Sequence, residues 1–159
     1  MPVNCKDAQQ TLNLVQSTID QIGRNRADLI PILQSISNEC GHISNEAISE
    51  ISKQTKLQPS EIYAVATFYR MLLTKPHGRH IVQFCESAPC HVVGGRELFQ
   101  ALKDTLQIEP GETSPDNRWT FFTTSCLGVC GIGPVILVDT DTYGNITPEQ
   151  LPIIFSQYE

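Results

Sequence analysis

The chain has 159 residues, a formal net charge of −6, and 11 lysines and arginines against 17 acidic residues. That length buries a real core without a disulfide framework, and the acidic balance argues against nucleic-acid binding, which needs a basic face for phosphate. The start Met-Pro-Val-Asn-Cys-Lys-Asp lacks the basic and apolar regions of a secretion signal, and no apolar run approaches the roughly 18 residues of a membrane span. A cytoplasmic chain without membrane insertion is expected, at most peripheral on the cytoplasmic face of a membrane complex. In a reducing compartment, cysteines are more often metal ligands or redox groups than disulfides.

Residues 1–76 read as a helical bundle. Leu12, Val15, Ile19 and Ile22 recur at three- and four-residue spacing, which puts them on one face of a first helix ending near Gly23. A second begins around Asp28, accepts Pro31 in its first turn, buries Leu29, Ile32, Leu33 and Ile36, and stops at Gly41. Ser44 fits the N-cap of a third, with Ile43 packing on Ile48 as a hydrophobic staple and Ile51 continuing the face. Gln58-Pro59-Ser60-Glu61 opens a fourth, since proline suits the first helical position and glutamate the positive end of the dipole. Ile62, Val65, Ala66, Tyr69 and Leu72 are expected on its inner side.

Lys75-Pro76-His77-Gly78-Arg79 breaks the periodicity and predicts a boundary, giving domains 1–76 and 77–159. Beyond it the pattern becomes strand, loop, helix, strand, loop, strand. Strands are predicted at 80–84, 119–124 and 134–138, with a short one near 143–146. Gly94-Gly95 opens a helix to about Leu106 with Leu98, Phe99 and Leu102 facing inward. Residues 108–118, rich in Gly, Pro, Asp and Asn, read as a surface connection, and Pro148 starts a terminal helix.

Four of the six cysteines lie in two short motifs, Cys85-Glu-Ser-Ala-Pro-Cys90 and Cys126-Leu-Gly-Val-Cys130-Gly-Ile-Gly-Pro. Strand-like runs flank both, so two loops at one end of a sheet can bring four thiolates to one centre. The gaps of four and three residues fit poorly with structural zinc, where a gap of two is commonest. Neither pair is the Cys-x-x-Cys of a dithiol enzyme, and the four-iron ferredoxin run is absent. A gap of four does occur among two-iron sites, whose full requirement is four cysteines. Spacing therefore favours a two-iron cluster, with zinc and unligated thiols as the alternatives. Gly128, Gly131 and Gly133 are expected to bring backbone amides close to sulfur, and Pro89 and Pro134 to stiffen the loops.

Cys40 reads as a small core residue and Cys5 as a terminal one, neither a ligand. His91 follows Cys90 but is not needed where four cysteines suffice, and His42, His77 and His80 share no ligand spacing. Phe68 and Tyr69 read as packing or as a subunit interface. Gly94-Gly95 lacks the full phosphate-loop pattern, so no bound nucleotide is expected.

Taken together, Ile-Val-Gln-Phe-Cys85-x4-Cys90, Gly111-Glu-Thr-Ser-Pro-Asp and Cys126-Leu-Gly-Val-Cys130-Gly-Ile-Gly-Pro-Val resemble the thioredoxin-like [2Fe-2S] subunit of NADH-linked oxidoreductases. That family includes the NuoE-type subunit of respiratory complex I and the small subunit of NAD(P)-linked and electron-bifurcating hydrogenases. Leu29-Ile-Pro-Ile-Leu33, Gly41-His-Ile-Ser44 and Ala64-Val-Ala-Thr-Phe-Tyr69 are similar to its helical N-terminal part, and the likeness covers about residues 27–159. Asn117 stands where the family often has glycine in a turn, a change that asparagine's tolerance of left-handed backbone makes harmless.

The resemblance implies an α+β chain, a helical bundle followed by a thioredoxin-like α/β domain. It implies a [2Fe-2S] cluster on Cys85, Cys90, Cys126 and Cys130, and a partner flavoprotein subunit carrying FMN and the NAD(P)H site. The expected role is one-electron transfer within an oxidoreductase complex, the chain being no enzyme in isolation. The rival readings are a stand-alone ferredoxin shuttle and a zinc-stabilised scaffold.

Overall fold

The computed structural model describes residues 8–158. Cys5 therefore lies outside the described residues. The chain divides into two compact units, Met1–Pro76 and His77–Glu159, each with its own hydrophobic core.

The first unit holds helices α1 (Ala8–Ile22), α2 (Leu29–Cys40), α3 (Asn45–Thr55) and α4 (Pro59–Phe68). α2 follows expectation: Leu29, Ile32, Leu33 and Ile36 are buried, and Gly41 ends the helix at φ 78°, a left-handed value glycine adopts without steric cost. Ser44 caps α3 by accepting the Ala47 amide at 3.2 Å, and both staple residues, Ile43 and Ile48, enter the core.

α1 differs from expectation. Its buried stripe is Thr11, Val15, Thr18 and Ile19, while Leu12 is half-buried and Ile22 lies 37% exposed. Two threonines are buried at positions where a hydropathy count sees only polar residues.

α4 stops sooner than its pattern suggests. Tyr69 is its C-cap in extended conformation, so Tyr69 and Leu72 are not on the helix, and Tyr69 is exposed. Leu72 is buried from the turn beyond, where the Leu73 carbonyl accepts the Ile43 amide at 2.7 Å and ties that segment to the start of α3. A tertiary backbone bond has replaced continuation of the helix.

The second unit is built on a mixed sheet of strand order β2-β1-β3-β4. β1 (His80–Cys85) runs parallel to β2 (Trp119–Thr124) and antiparallel to β3 (Val135–Val138), which pairs with β4 (Asp141–Gly144). After β1 come a single helical turn, α5 (Ala88–Cys90), and then α6 (Arg96–Leu106); α7 (Leu151–Phe155) closes the fold. Val82 and Phe84 of β1, Phe121 of β2 and Ile136 of β3 meet Leu98 and Leu102 of α6 and Leu151 of α7 in one apolar core.

Two further expectations are corrected. The last strand is Asp141–Gly144, placed earlier than 143–146 because Asp139 takes φ 54° and turns the chain within two residues. Residues 108–118 are not a loose connection. The Gly111 amide donates to the Phe121 carbonyl, and the Phe121 and Ser114 amides to the Glu112 and Trp119 carbonyls, so this segment runs along β2 with Ile108 and Ser114 buried. β2 is the outer strand of the sheet, and the segment satisfies backbone groups that would otherwise face outward unpaired. Asn117 adopts the left-handed φ of 54° expected of it.

Candidate metal centre

Parallel pairing of β1 with β2 carries their C-terminal ends to the same edge of the sheet, with Cys85 opposite Thr124. β3 runs the other way, so it starts at that edge, with Ile136 opposite Phe84. The chain leaving β1 forms the turn that bears Cys90, and the chain from β2 to β3 bears Cys126 and Cys130. All four cysteines are thus delivered to one end of one small sheet, and none is in a disulfide.

They arrive as two unlike pairs. Cys85 and Cys90 are buried, each 1% exposed, whereas Cys126 and Cys130 are exposed with their sulfurs 3.2 Å apart. The side chains of Cys85 and Cys90 act on each other's ionisation, lowering the pKa of the first and raising that of the second. Across the pairs, the charge of Cys85 acts on both Cys126 and Cys130, and Cys130 acts on Cys90. Among the described residues, no group of three or more His, Cys, Asp or Glu side chains forms a site for a metal ion. Two pairs of sulfurs match a cluster that shares four thiolates between two irons.

Backbone amides point into this set. The Gly128 amide donates to Cys126 at 3.4 Å, while the Ser87 and Leu127 amides act on Cys85, and the Val135 amide on Cys90, to lower their pKa values. Only one of these donors is among the glycines singled out from the sequence. Gly128 takes φ 83° to turn its amide onto Cys126. Gly133 instead provides space, since a Cβ there would lie 3.4 Å from the Cys90 sulfur and 3.1 Å from Val93. Gly131 has nothing within 4 Å of where a Cβ would stand. The Ser87, Leu127 and Val135 donors left no trace in the sequence, because every residue but proline has an amide and only the fold decides where it points.

These contacts split each pair into a readily ionised and a reluctant thiol. Burial raises the Cys85 pKa, but the Ser87 and Leu127 amides, with the Cys90 and Ser87 side chains, pull it below the ordinary value. Burial, then the hydrogen bond and charge of Cys85, push Cys90 from 9.0 up to about 11. The Gly128 amide and the Cys130 side chain lower Cys126, and the hydrogen bond to Cys126 raises Cys130.

The sign for stability follows from proton counts. Below 9.0 the unfolded chain holds a proton that folded Cys85 has lost, so stability of the reduced, cluster-free protein rises with pH. Above 9.0 folded Cys90 keeps a proton that the unfolded chain sheds, so stability falls toward about 11. Tyr158, also raised by burial and by its bonds to Tyr143 and Asp141, adds to the fall only above its ordinary 10.0. Cys130, also raised, adds to this fall, so urea denaturation of the cluster-free protein is expected to show a maximum near pH 9, and Cys90→Ser to lessen the decline between 9.0 and 10.0.

The other sequence candidates lie elsewhere. Cys40 is buried in the core of the first unit. His91 is exposed beside the site, and His80 at the far end of β1 contacts Asp139 at 2.7 Å. Around the ligand turns Val92, Val93, Val129 and Ile132 are exposed, an apolar rim that the cysteine spacing did not reveal. No described helix is long and apolar enough to cross a membrane.

Residues 15–159 match the family described as thioredoxin-like [2Fe-2S] ferredoxin. The chain is 33% identical over 157 residues to the NADH-quinone oxidoreductase E subunit of Buchnera aphidicola subsp. Acyrthosiphon pisum, covering 99% of this chain and 97% of that protein. It is 36% identical over 134 residues to the corresponding protein of Escherichia coli K12, covering 84% and 81%. Among solved structures, an air-oxidized NAD+-reducing [NiFe]-hydrogenase shares the fold, with a TM-score of 0.70 and 23% identity over 82% of this chain. This chain spans only 22% of that hydrogenase chain. The four thiols, the amides aimed at them and a match over almost the whole length agree: the chain belongs to the thioredoxin-like [2Fe-2S] ferredoxin family, and its cofactor is a [2Fe-2S] cluster.

Proposed function

We propose that this chain is the electron-transfer subunit of an NADH-linked oxidoreductase complex, and that Cys85, Cys90, Cys126 and Cys130 hold its cluster. The observation that carries the reading is the delivery of these four sulfurs, as one buried and one exposed pair, to a single edge of the sheet. When bound, the cluster supplies uptake and release of one electron at a time. The chain's own residues fix the sulfurs, shield one side of the site with the second unit's core, and leave the Cys126 and Cys130 side open.

Two-electron chemistry belongs, on this reading, to a partner. The relatives are named as subunits of NADH-quinone oxidoreductase, which supports a partner flavoprotein subunit with FMN and the NAD(P)H site and a chain that carries electrons without catalysing on its own. The exposed rim of Val92, Val93, Val129 and Ile132 beside the ligands gives such a subunit an apolar surface to dock on. Units 1–76 and 77–159 are then a helical bundle and a cluster-bearing thioredoxin-like ferredoxin domain.

Native purification tests this directly. The expected result is about two irons and two acid-labile sulfides per chain, with a flavoprotein co-purifying. Stoichiometric zinc without labile sulfide overturns the assignment in favour of a scaffold. A loaded chain that never associates with a flavoprotein overturns the complex in favour of a diffusing shuttle.

A further inference from the structure

We propose that Cys126 and Cys130 close to a reversible disulfide when the chain meets a hydroperoxide before its cluster is loaded, and that this bridge bars loading until a dithiol opens it. The inference rests on the four-cysteine assignment above. The two sulfurs stand 3.2 Å apart, and both residues are exposed. A disulfide bond is about 2.05 Å long, so the sulfurs need to approach each other by only about 1 Å. The chain around them has room for that movement. Residues 126–129 belong to no helix or strand, and at Gly128 and Gly131 nothing lies within 4 Å of where a Cβ would stand.

The other pair is held differently. Cys85 ends β1, paired with Thr124, and Cys90 sits in the α5 turn, where a Cβ on Gly95 would stand 2.6 Å from the Cys90 carbonyl oxygen. Each is 1% exposed, so a peroxide in solution reaches neither sulfur. Oxidation is therefore selective for the second motif. One of its sulfurs attacks hydrogen peroxide and breaks the O–O bond, keeping one oxygen as a sulfenic acid while its thiol proton leaves in water. The other sulfur then attacks the sulfenic acid, forming the S–S bond and releasing a second water. Two thiols lose two electrons, and one peroxide becomes two waters. A dithiol opens the bridge by exchange and is itself oxidised to a disulfide. While bridged, the chain offers two thiolates where a two-iron cluster needs four.

The test uses the full-length chain, reduced and without cluster, treated with one equivalent of hydrogen peroxide, alkylated with iodoacetamide under denaturing conditions and digested with trypsin. Arg96, Lys103 and Arg118 lie between the two motifs, so each pair falls in its own peptide. The expected product is an unalkylated peptide carrying Cys126 and Cys130, lighter by two hydrogens, with Cys85 and Cys90 alkylated. Transfer from a [2Fe-2S]-loaded scaffold protein without added thiol is expected to load the oxidised chain to roughly a tenth or less of the reduced chain, and dithiothreitol to restore loading. A bridge involving Cys85 or Cys90 overturns the proposal, as does sulfinic acid on Cys126 or Cys130 without a bridge, or full loading of the bridged chain. A reduced chain that takes up no two-iron cluster marks failure of the four-cysteine assignment instead, and the peptide map still decides whether the bridge forms.

Discussion

Cys85→Ala is expected to purify nearly colourless, with iron and labile sulfide reduced to roughly a tenth of wild type or less, since a metal site's affinity rests on its full set of deprotonated ligands. Cys85 is the last residue of β1, 1% exposed, and its position is set by its own pairing with Thr124 of β2 and by the pairing of the preceding Phe84 with Ile136 of β3. No water replaces its sulfur there, and its removal leaves the Ser87 and Leu127 amides without the acceptor they are aimed at. Cys126→Ala should lose less, because its position is exposed and solvent can complete the iron's coordination. Iron and sulfide assays alongside the visible spectrum give the ranking. Wild-type iron content in Cys85→Ala would remove this residue from the ligand set.

Gly95→Ala is expected to lower the stability of the second unit and loosen its cluster, although residue 95 is no ligand. Its backbone is ordinary for a helix start, φ −62° and ψ −26°, so the objection to a side chain is space rather than conformation. An added Cβ would stand 2.6 Å from the Cys90 carbonyl oxygen and 2.9 Å from its carbon. Both are backbone atoms of the turn that presents Cys90, so either α6 draws back from the core or that turn shifts its ligand. Overpacking of this kind costs about 1–3 kcal/mol, which in a unit of this size lowers Tm by about 5 °C or more. Thermal unfolding followed by circular dichroism, with iron content measured on the same sample, checks both effects. A variant with unchanged Tm and full iron shows that α6 accommodates the methyl group.

Much of the helical unit was legible because its signals are local. Asp28 to Gly41 carries an apolar stripe at helical spacing and a terminal glycine, and the helix forms there with that face buried. Where the reading erred, a longer-range interaction had won. The α4 pattern runs on through Tyr69 and Leu72, but a backbone bond between Leu73 and Ile43 takes the chain away. Residues 108–118 have the composition of a loop, yet the unpaired edge of β2 recruits them as a hydrogen-bonded companion.

By itself, the sequence determined the chemistry on offer: four thiols in two motifs of unequal gap, set after strand-like runs and flanked by glycine and proline. Spacing is enough for that, since it limits which metals four sulfurs can serve. Only the tertiary structure decided that Cys85 and Cys90 are buried while Cys126 and Cys130 face outward, and that the amides of Ser87, Leu127 and Val135 reach sulfur. The reason is strand direction. The parallel pairing of β1 with β2 and the reversal into β3 set which ends of the chain share an edge, and a pairing between residues about 40 positions apart leaves no local mark in the sequence.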